Sequence, residues 1–243
     1  MLSENMLLSR MKKAFFSVFL FWSFVSAQDF GYEYLMLTEY RSIGAAYNLQ
    51  HFSSSSSNVL SDSNRIAFSS ALPFIEFRQN NGRLAVGYQT FTDIKGKSRE
   101  SFSVYGESQN DFPIGGSKQS KAAFSLPVVV SANYVRAQSP NTAIADFDIG
   151  SLGLGTGIKF KHFERSFGVQ AFAVGSLYYA SEGFGTDYGS QISLCAEVQL
   201  VLTELFYQGL LLGYRFETQR WNMNNSTLDY QRQYHGAFIG VIF

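Results

Sequence analysis

The sequence predicts an all-β fold: a closed, antiparallel, up-and-down β-barrel of about ten strands that crosses a membrane. Three observations lead there. Apolar residues recur at every second position over segments long enough to cross a bilayer on a tilt, about 9–11 residues. The composition is rich in aromatics (16%) and glycine (21 residues) but has only four prolines, which suits strands and tight turns better than helices. Finally, the chain closes on an amphipathic strand, His235–Phe243, that runs to its last residue. Chain ends fray unless tied down, and a closed barrel ties its last strand to its first.

The first 27 residues read as a secretory signal. Met11-Lys12-Lys13 supplies a positive start, Ala14–Phe24 an apolar stretch broken only by Ser17 and Ser23, and Val25-Ser26-Ala27 a small-residue cleavage site. The apolar stretch falls short of the ~20 residues of a spanning helix. Cleavage after Ala27 leaves residues 28–243 as the barrel, with Gln28–Glu39 as a lead-in or an additional strand. The signal removes Arg10, Lys12, Lys13 and Glu4, leaving 16 basic and 18 acidic residues, a net charge of −2. With no basic stripe, nucleic acid is not an expected partner. The single cysteine, Cys195, rules out a disulfide scaffold and a cysteine-based zinc cluster.

Ten strands follow from the alternation: Arg41–Phe52, Ile66–Arg78, Arg83–Phe91, Glu100–Glu107, Phe124–Val135, Ile149–Phe163, Ser166–Ala180, Gln191–Thr203, Leu210–Gln219 and Gln231–Phe243. The clearest, Gln191–Thr203, sets Ile192, Leu194, Ala196 and Val198 on one face, and Ser193, Cys195, Glu197 and Gln199 on the other. In Ile66–Arg78 the apolar parity switches near Pro73, which predicts a bulge, and Pro127 predicts a bulge or kink in its strand. Asn80-Asn81-Gly82 is a hairpin-turn signal. Ser108–Ser120 reads as a long connection on the side where the others are short, so eight or twelve strands stay open. Gly153, Gly155 and Gly157 alternate on an inward face with no helix behind them, which points to crowding in the barrel rather than a phosphate loop.

The C-terminal strand, with Phe243, Val241, Ile239 and Ala237 at alternate positions, resembles that of bacterial outer-membrane β-barrels. The resemblance is to an architecture and spans about ten residues. It implies residence in the outer membrane of a Gram-negative bacterium, contact with outer-membrane lipid, recognition of Phe243 by the barrel-assembly machinery, and a monomer. Counting back from a periplasmic C-terminus puts the short turns inside and the longer polar loops outside, the expected asymmetry.

Inward parity collects Glu197, Gln199, Arg215, Glu217, Lys159, Lys161, Gln170, Gln89 and Arg83. A hairpin centred on Phe206 sets Glu197 across from Arg215, with Glu217 diagonal and competing for the same guanidinium. About eight strands only just accommodate side chains, whereas an open channel takes about sixteen. The expected role is therefore structural, at the cell surface or accessory to another assembly, with a polar lumen plugged by Glu197, Arg215, Glu217 and Lys159. The alternatives are a narrow channel for small solutes or hydrophobic compounds, and a rim-active hydrolase or acyltransferase built on His51, His235 and Asp146, Asp148, Asp187 or Asp229. No catalytic, cofactor or metal motif is legible.

Overall fold

The alternation carries through into ten strands: β1 (Arg41–Ser56), β2 (Ala67–Gln79), β3 (Gly82–Thr92), β4 (Ser98–Gly115), β5 (Ala122–Gln138), β6 (Ala145–Phe163), β7 (Phe167–Glu182), β8 (Asp187–Leu202), β9 (Gly209–Met223) and β10 (Leu228–Ile242). The computed structural model describes residues 40–56, 67–79, 81–93, 95–115, 122–139, 145–164, 167–182, 187–203, 209–224 and 228–243. The expected signal and Gln28–Glu39 lie outside the described residues. Each strand pairs antiparallel with its chain neighbours, and β1 pairs with β10 from Ser42↔Ile242 to Ser56↔Leu228, closing the barrel. The last residue takes part, since the Phe243 N–H donates to the Arg41 carbonyl at 2.9 Å.

The stagger can be read from the pairing. From Ala46, cross-strand partners followed through β2, β3 and β4 arrive at Val135 on β5. Followed the other way, through β10 to β6, they arrive at Ala123. The offset along β5 is twelve residues, which tilts the strands by roughly 40°. Outward positions carry the exposed apolar residues, among them Ile43, Tyr47, Ile75, Leu152, Leu154, Leu177, Leu194, Val198 and Ile239. Exposed aromatics mark both borders: Tyr179 and Tyr188 at the outer one, Phe124, Phe167 and Phe243 at the inner one. An apolar exterior around a polar interior makes this an integral outer-membrane barrel.

Three details depart from the sequence reading. The parity switch near Pro73 is not a bulge, because β2 keeps one register against β1 from Arg41↔Gln79 to Ser53↔Ala67. Phe68, Leu72 and Phe74 all point inward with Glu76 and Arg78. What changes at Pro73 is the chemistry of the lumen, aromatic above and ionic below. Pro73 instead interrupts the other ladder. Its carbonyl faces Gly87 on β3, so its missing N–H faces β3 as well, and β2–β3 pairing runs only from Phe74↔Gly87 to Gln79↔Gly82.

Pro127 likewise breaks two pairs of the β5–β6 ladder without shifting register; the irregularities fall at Pro113/Gly115 and Ala137/Gln138. The long connection Ser108–Ser120 is mostly strand, because β4 pairs with β5 down to Gly115↔Phe124 and brings Asp111 to the interior lysines.

Leu194 is 58% exposed and Ser193 is 2% exposed. Leu194→Arg is expected to destabilise the barrel by roughly 2–4 kcal/mol near the bilayer midplane, measured by urea unfolding in lipid vesicles. An unchanged unfolding midpoint would show that this face does not meet lipid.

Candidate functional site

Among the described residues, the lumen is where charged side chains from many strands meet. On adjacent strands β8 and β9, the register sets Glu197 opposite Arg215, and their side chains pair at 2.9 Å. Arg215 also binds Glu217 at 2.9 Å and Glu107 of β4 at 3.0 Å. From the facing wall, Arg78 of β2 reaches the other oxygen of Glu197 and binds Glu76 at 2.7 Å. Arg83 of β3 binds the second oxygen of Glu76 at 2.6 Å. The result is a continuous alternation, Arg83–Glu76–Arg78–Glu197–Arg215–Glu217, that crosses the barrel. Its members are nearly free of solvent, so each charge depends on the next to offset its desolvation.

Neutral groups complete the layer. Tyr234 donates its hydroxyl to Glu217, which also accepts from Gln219 at 2.7 Å and Ser193 at 3.0 Å. The Arg78 guanidinium lies 3.5 Å above the centre of the Phe238 ring. That ring needs the space beside Gly213, where any side chain would collide with it. Gly153 plays the same part for the Tyr178 ring. Below the network, Tyr40 donates to Gln199 at 2.6 Å and accepts from Gln170 at 3.2 Å, crossing the periplasmic mouth. The remaining space there is a cavity of about 20 Å³ lined by Arg83, Lys159, Gln170 and Arg215, among others, room for about one water.

Above the network lies a layer of Gln50, Ser70, Gln89 and Arg232. The Arg232 guanidinium is held by Gln50 at 2.6 and 2.9 Å and by the Tyr105 hydroxyl. The outer end is aromatic. Phe52 stacks on Phe68 at 5.2 Å and meets Phe147 edge-on at 4.9 Å; Phe68 stacks on Phe91 at 3.9 Å; Phe147 packs edge-on against Trp221 and Tyr230.

Of the residues singled out from sequence, Glu197, Arg215 and Glu217 meet directly. Lys159 also faces the interior, but it joins Lys161 on Asp111, at 3.1 and 2.7 Å, apart from the arginine–glutamate chain. Cys195 faces inward and packs against the small cluster of Val129, Phe172 and Val174. Among the described residues the expected rim site does not assemble, and Asp148 of β6 lies across the barrel from β1 and β10. His51 and His235 sit on the outer surface of the wall, bound to Ser69 at 2.9 Å and Tyr214 at 2.6 Å. Asp229 lies 3.9 Å from Arg220 in solvent, Asp187 points inward, and the Asp146 side chain is outside the described residues. Among the described residues no group of three or more His, Cys, Asp or Glu could hold a metal.

Sequence reasoning missed Glu76, Arg78, Glu107, Asp111 and Arg232. The parity of Ile75 and Phe77 already sets Glu76 and Arg78 inward, and Glu107 ends its expected strand, yet none of the three entered the expected lumen set; Asp111 was hidden by ending β4 too early. The turn between β3 and β4 is tied by Asp93. It accepts the N–H groups of Lys95 and Lys97 at 2.9 Å and the Arg99 guanidinium at 2.7 Å. Burial pushes its carboxyl up, but these donors outweigh it and hold it below the usual carboxylate range. Gly96, with φ of 74°, makes the turn.

No family model and no curated protein matches the chain. Among solved structures it is similar to the outer membrane protease OmpT from Escherichia coli, at 6% identity over 88% of this chain and 99% of that one, with a TM-score of 0.39. Neisserial surface protein A shares 14% identity over 81% and 96%, with a TM-score of 0.31. Ail, the attachment invasion locus protein of Yersinia pestis, shares 10% over 85% and 100%, with a TM-score of 0.27. Likenesses this slight carry no argument about activity, and the fold stands on its own strand pairing.

Changing Glu197 or Arg215 alone to an apolar residue of similar size is expected to cost about 3–5 kcal/mol, since it strands the partner's charge in a dry layer. The double change should cost less than the sum. Strictly additive effects in urea unfolding would show that the two do not interact.

Proposed function

We propose that this barrel is a structural, non-enzymatic component of the cell envelope: its lumen is sealed by side chains, and its outer loops carry surface interactions or an accessory role to another assembly. The observation that carries this reading is the continuous filling of the interior, from Tyr40 through the ionic chain and Arg232 to the Phe52–Phe147–Trp221 cluster. A ten-strand barrel has space for little beyond such side chains. The outward placement of His51 and His235 supports a non-catalytic role, because it separates them from the carboxylates of the lumen. The partners of this reading are outer-membrane lipid on the exterior and, during insertion, the barrel-assembly machinery, for which the exposed ring of Phe243 is the recognised end.

One observation favours a second reading, a narrow path for small apolar compounds. Above Pro73 the β2–β3 ladder stops, and among the described residues the wall beside the aromatic cluster is bridged by side chains, Ser70 to Gln89 at 2.9 Å and Phe68 to Phe91.

Planar-bilayer recording separates the two. The purified barrel is expected to show no steady conductance, whereas removal of the outer cluster and the network together (Phe52→Ala, Phe147→Ala, Arg78→Ala, Glu197→Ala) should admit ions if the barrel still folds. Steady ion flow through the unaltered protein would overturn the sealed-lumen reading and put the narrow path first.

A further inference from the structure

The outer surface of the barrel is not apolar all the way round. One row of outward positions runs directly from strand to strand across four neighbours: Ser69 on β2 opposes His51 on β1, His51 opposes Gln233 on β10, and Gln233 opposes Thr218 on β9. Two positions further along β10, His235 is flanked by Leu49 and Phe216 and bonded to the Tyr214 hydroxyl. Leu49, Phe216 and Tyr214 are among the exposed apolar side chains of the wall, so His235 lies within the lipid-facing band. Along β6, β7 and β8 the outward positions are mostly apolar, Leu152, Leu154, Leu177, Tyr179, Ile192 and Leu194, with Thr156 and Ser190 set singly among them and Asp148 toward the outer end. Acyl chains offer the polar groups of the row nothing, and a polar or ionisable side chain at membrane depth marks a functional surface with a partner to be named.

We propose that this row is the contact through which two copies of the barrel associate side by side in the membrane, in place of the monomer expected from sequence. The chemistry favours a second copy over a lipid headgroup. A glutamine amide and a neutral imidazole each carry both a donor and an acceptor. Across a two-fold axis each can therefore pair with itself or with its neighbour, as an isologous interface requires. The row contains no Lys or Arg to hold a phosphate, and the cation one register line further out, Arg220, already faces Asp229. An axis passing near Gln233 sets the two Gln233 amides against each other, with His51 and His235 on either side. Exposed Tyr47, Leu49 and Phe216 supply the apolar surround.

The test is disulfide trapping in native membranes in a Cys195→Ser background. Gln233→Cys is expected to give an oxidant-dependent band at twice the barrel's mass on a non-reducing gel, and Leu154→Cys on the far wall none. As a second measurement, the triple variant His51→Leu, Gln233→Leu, His235→Leu should shift the detergent-solubilised protein from dimer to monomer in analytical ultracentrifugation while keeping heat-modifiable gel mobility, the sign of an intact barrel. The proposal is overturned if folded Gln233→Cys and His51→Cys proteins both fail to cross-link. Equal trapping at Leu154, trapping to a different protein, or unaltered protein that sediments as a monomer with bound lipopolysaccharide would overturn it too.

Discussion

Arg78 holds the two sides of this barrel together. Its guanidinium reaches Glu76 on its own strand and Glu197 on the facing wall, and through Glu197 it is joined to Arg215, Glu217 and Glu107 on two further strands. Removing charges from water is expensive, and a buried pair recovers that cost only when every lone pair and proton is placed. The need to place them explains much of the surrounding detail. Tyr234, Gln219 and Ser193 converge on Glu217 for this reason, Phe238 lies against Arg78, and Gly213 lacks a side chain to leave Phe238 its position.

The interior is therefore layered. The ionic chain and its amides lie toward the periplasmic end, with Val201 and Leu211 beside them, and the ring cluster of Phe52, Phe68, Phe91, Phe147 and Trp221 fills the outer end. Strand β2 shows the change within one element, from Phe68 and Leu72 to Glu76 and Arg78. Outward positions are apolar over most of the lipid band, the row through His51 and Gln233 and the neighbouring His235 excepted. Where both faces are apolar, in the outer half, period-two alternation fades even though the backbone remains regular.

That fading decides what could be read from the residues alone. The β8–β9 hairpin alternates cleanly, so counting from its turn placed Glu197 against Arg215, the pairing the structure has. The strand count and closure on Phe243 were legible for the same reason. The parity argument failed at Pro73 because it took apolar to mean lipid-facing. That put the inward Phe68 and Leu72 on the wrong face, whereas the parity of Ile75 and Phe77 leaves Glu76 and Arg78 inward, as they are. β4 was cut short because Asp111, Phe112 and Pro113 look like a turn, although they pair with Pro127, Leu126 and Ser125. Contacts between facing walls, such as Arg78 with Glu197, have no signature in one chain's local pattern; they follow from the stagger that sets the height of each strand.

The central claim is that the lumen is a dry, charge-matched layer spanning the barrel, and the cross-lumen pair tests it most directly. Urea unfolding in lipid vesicles of Arg78→Met, Glu197→Gln and the double variant forms a complete cycle. The account predicts that each single change destabilises the barrel strongly and that the double change costs clearly less than their sum. Additive, small effects would mean that water reaches both groups, and the lumen would not be the sealed layer described.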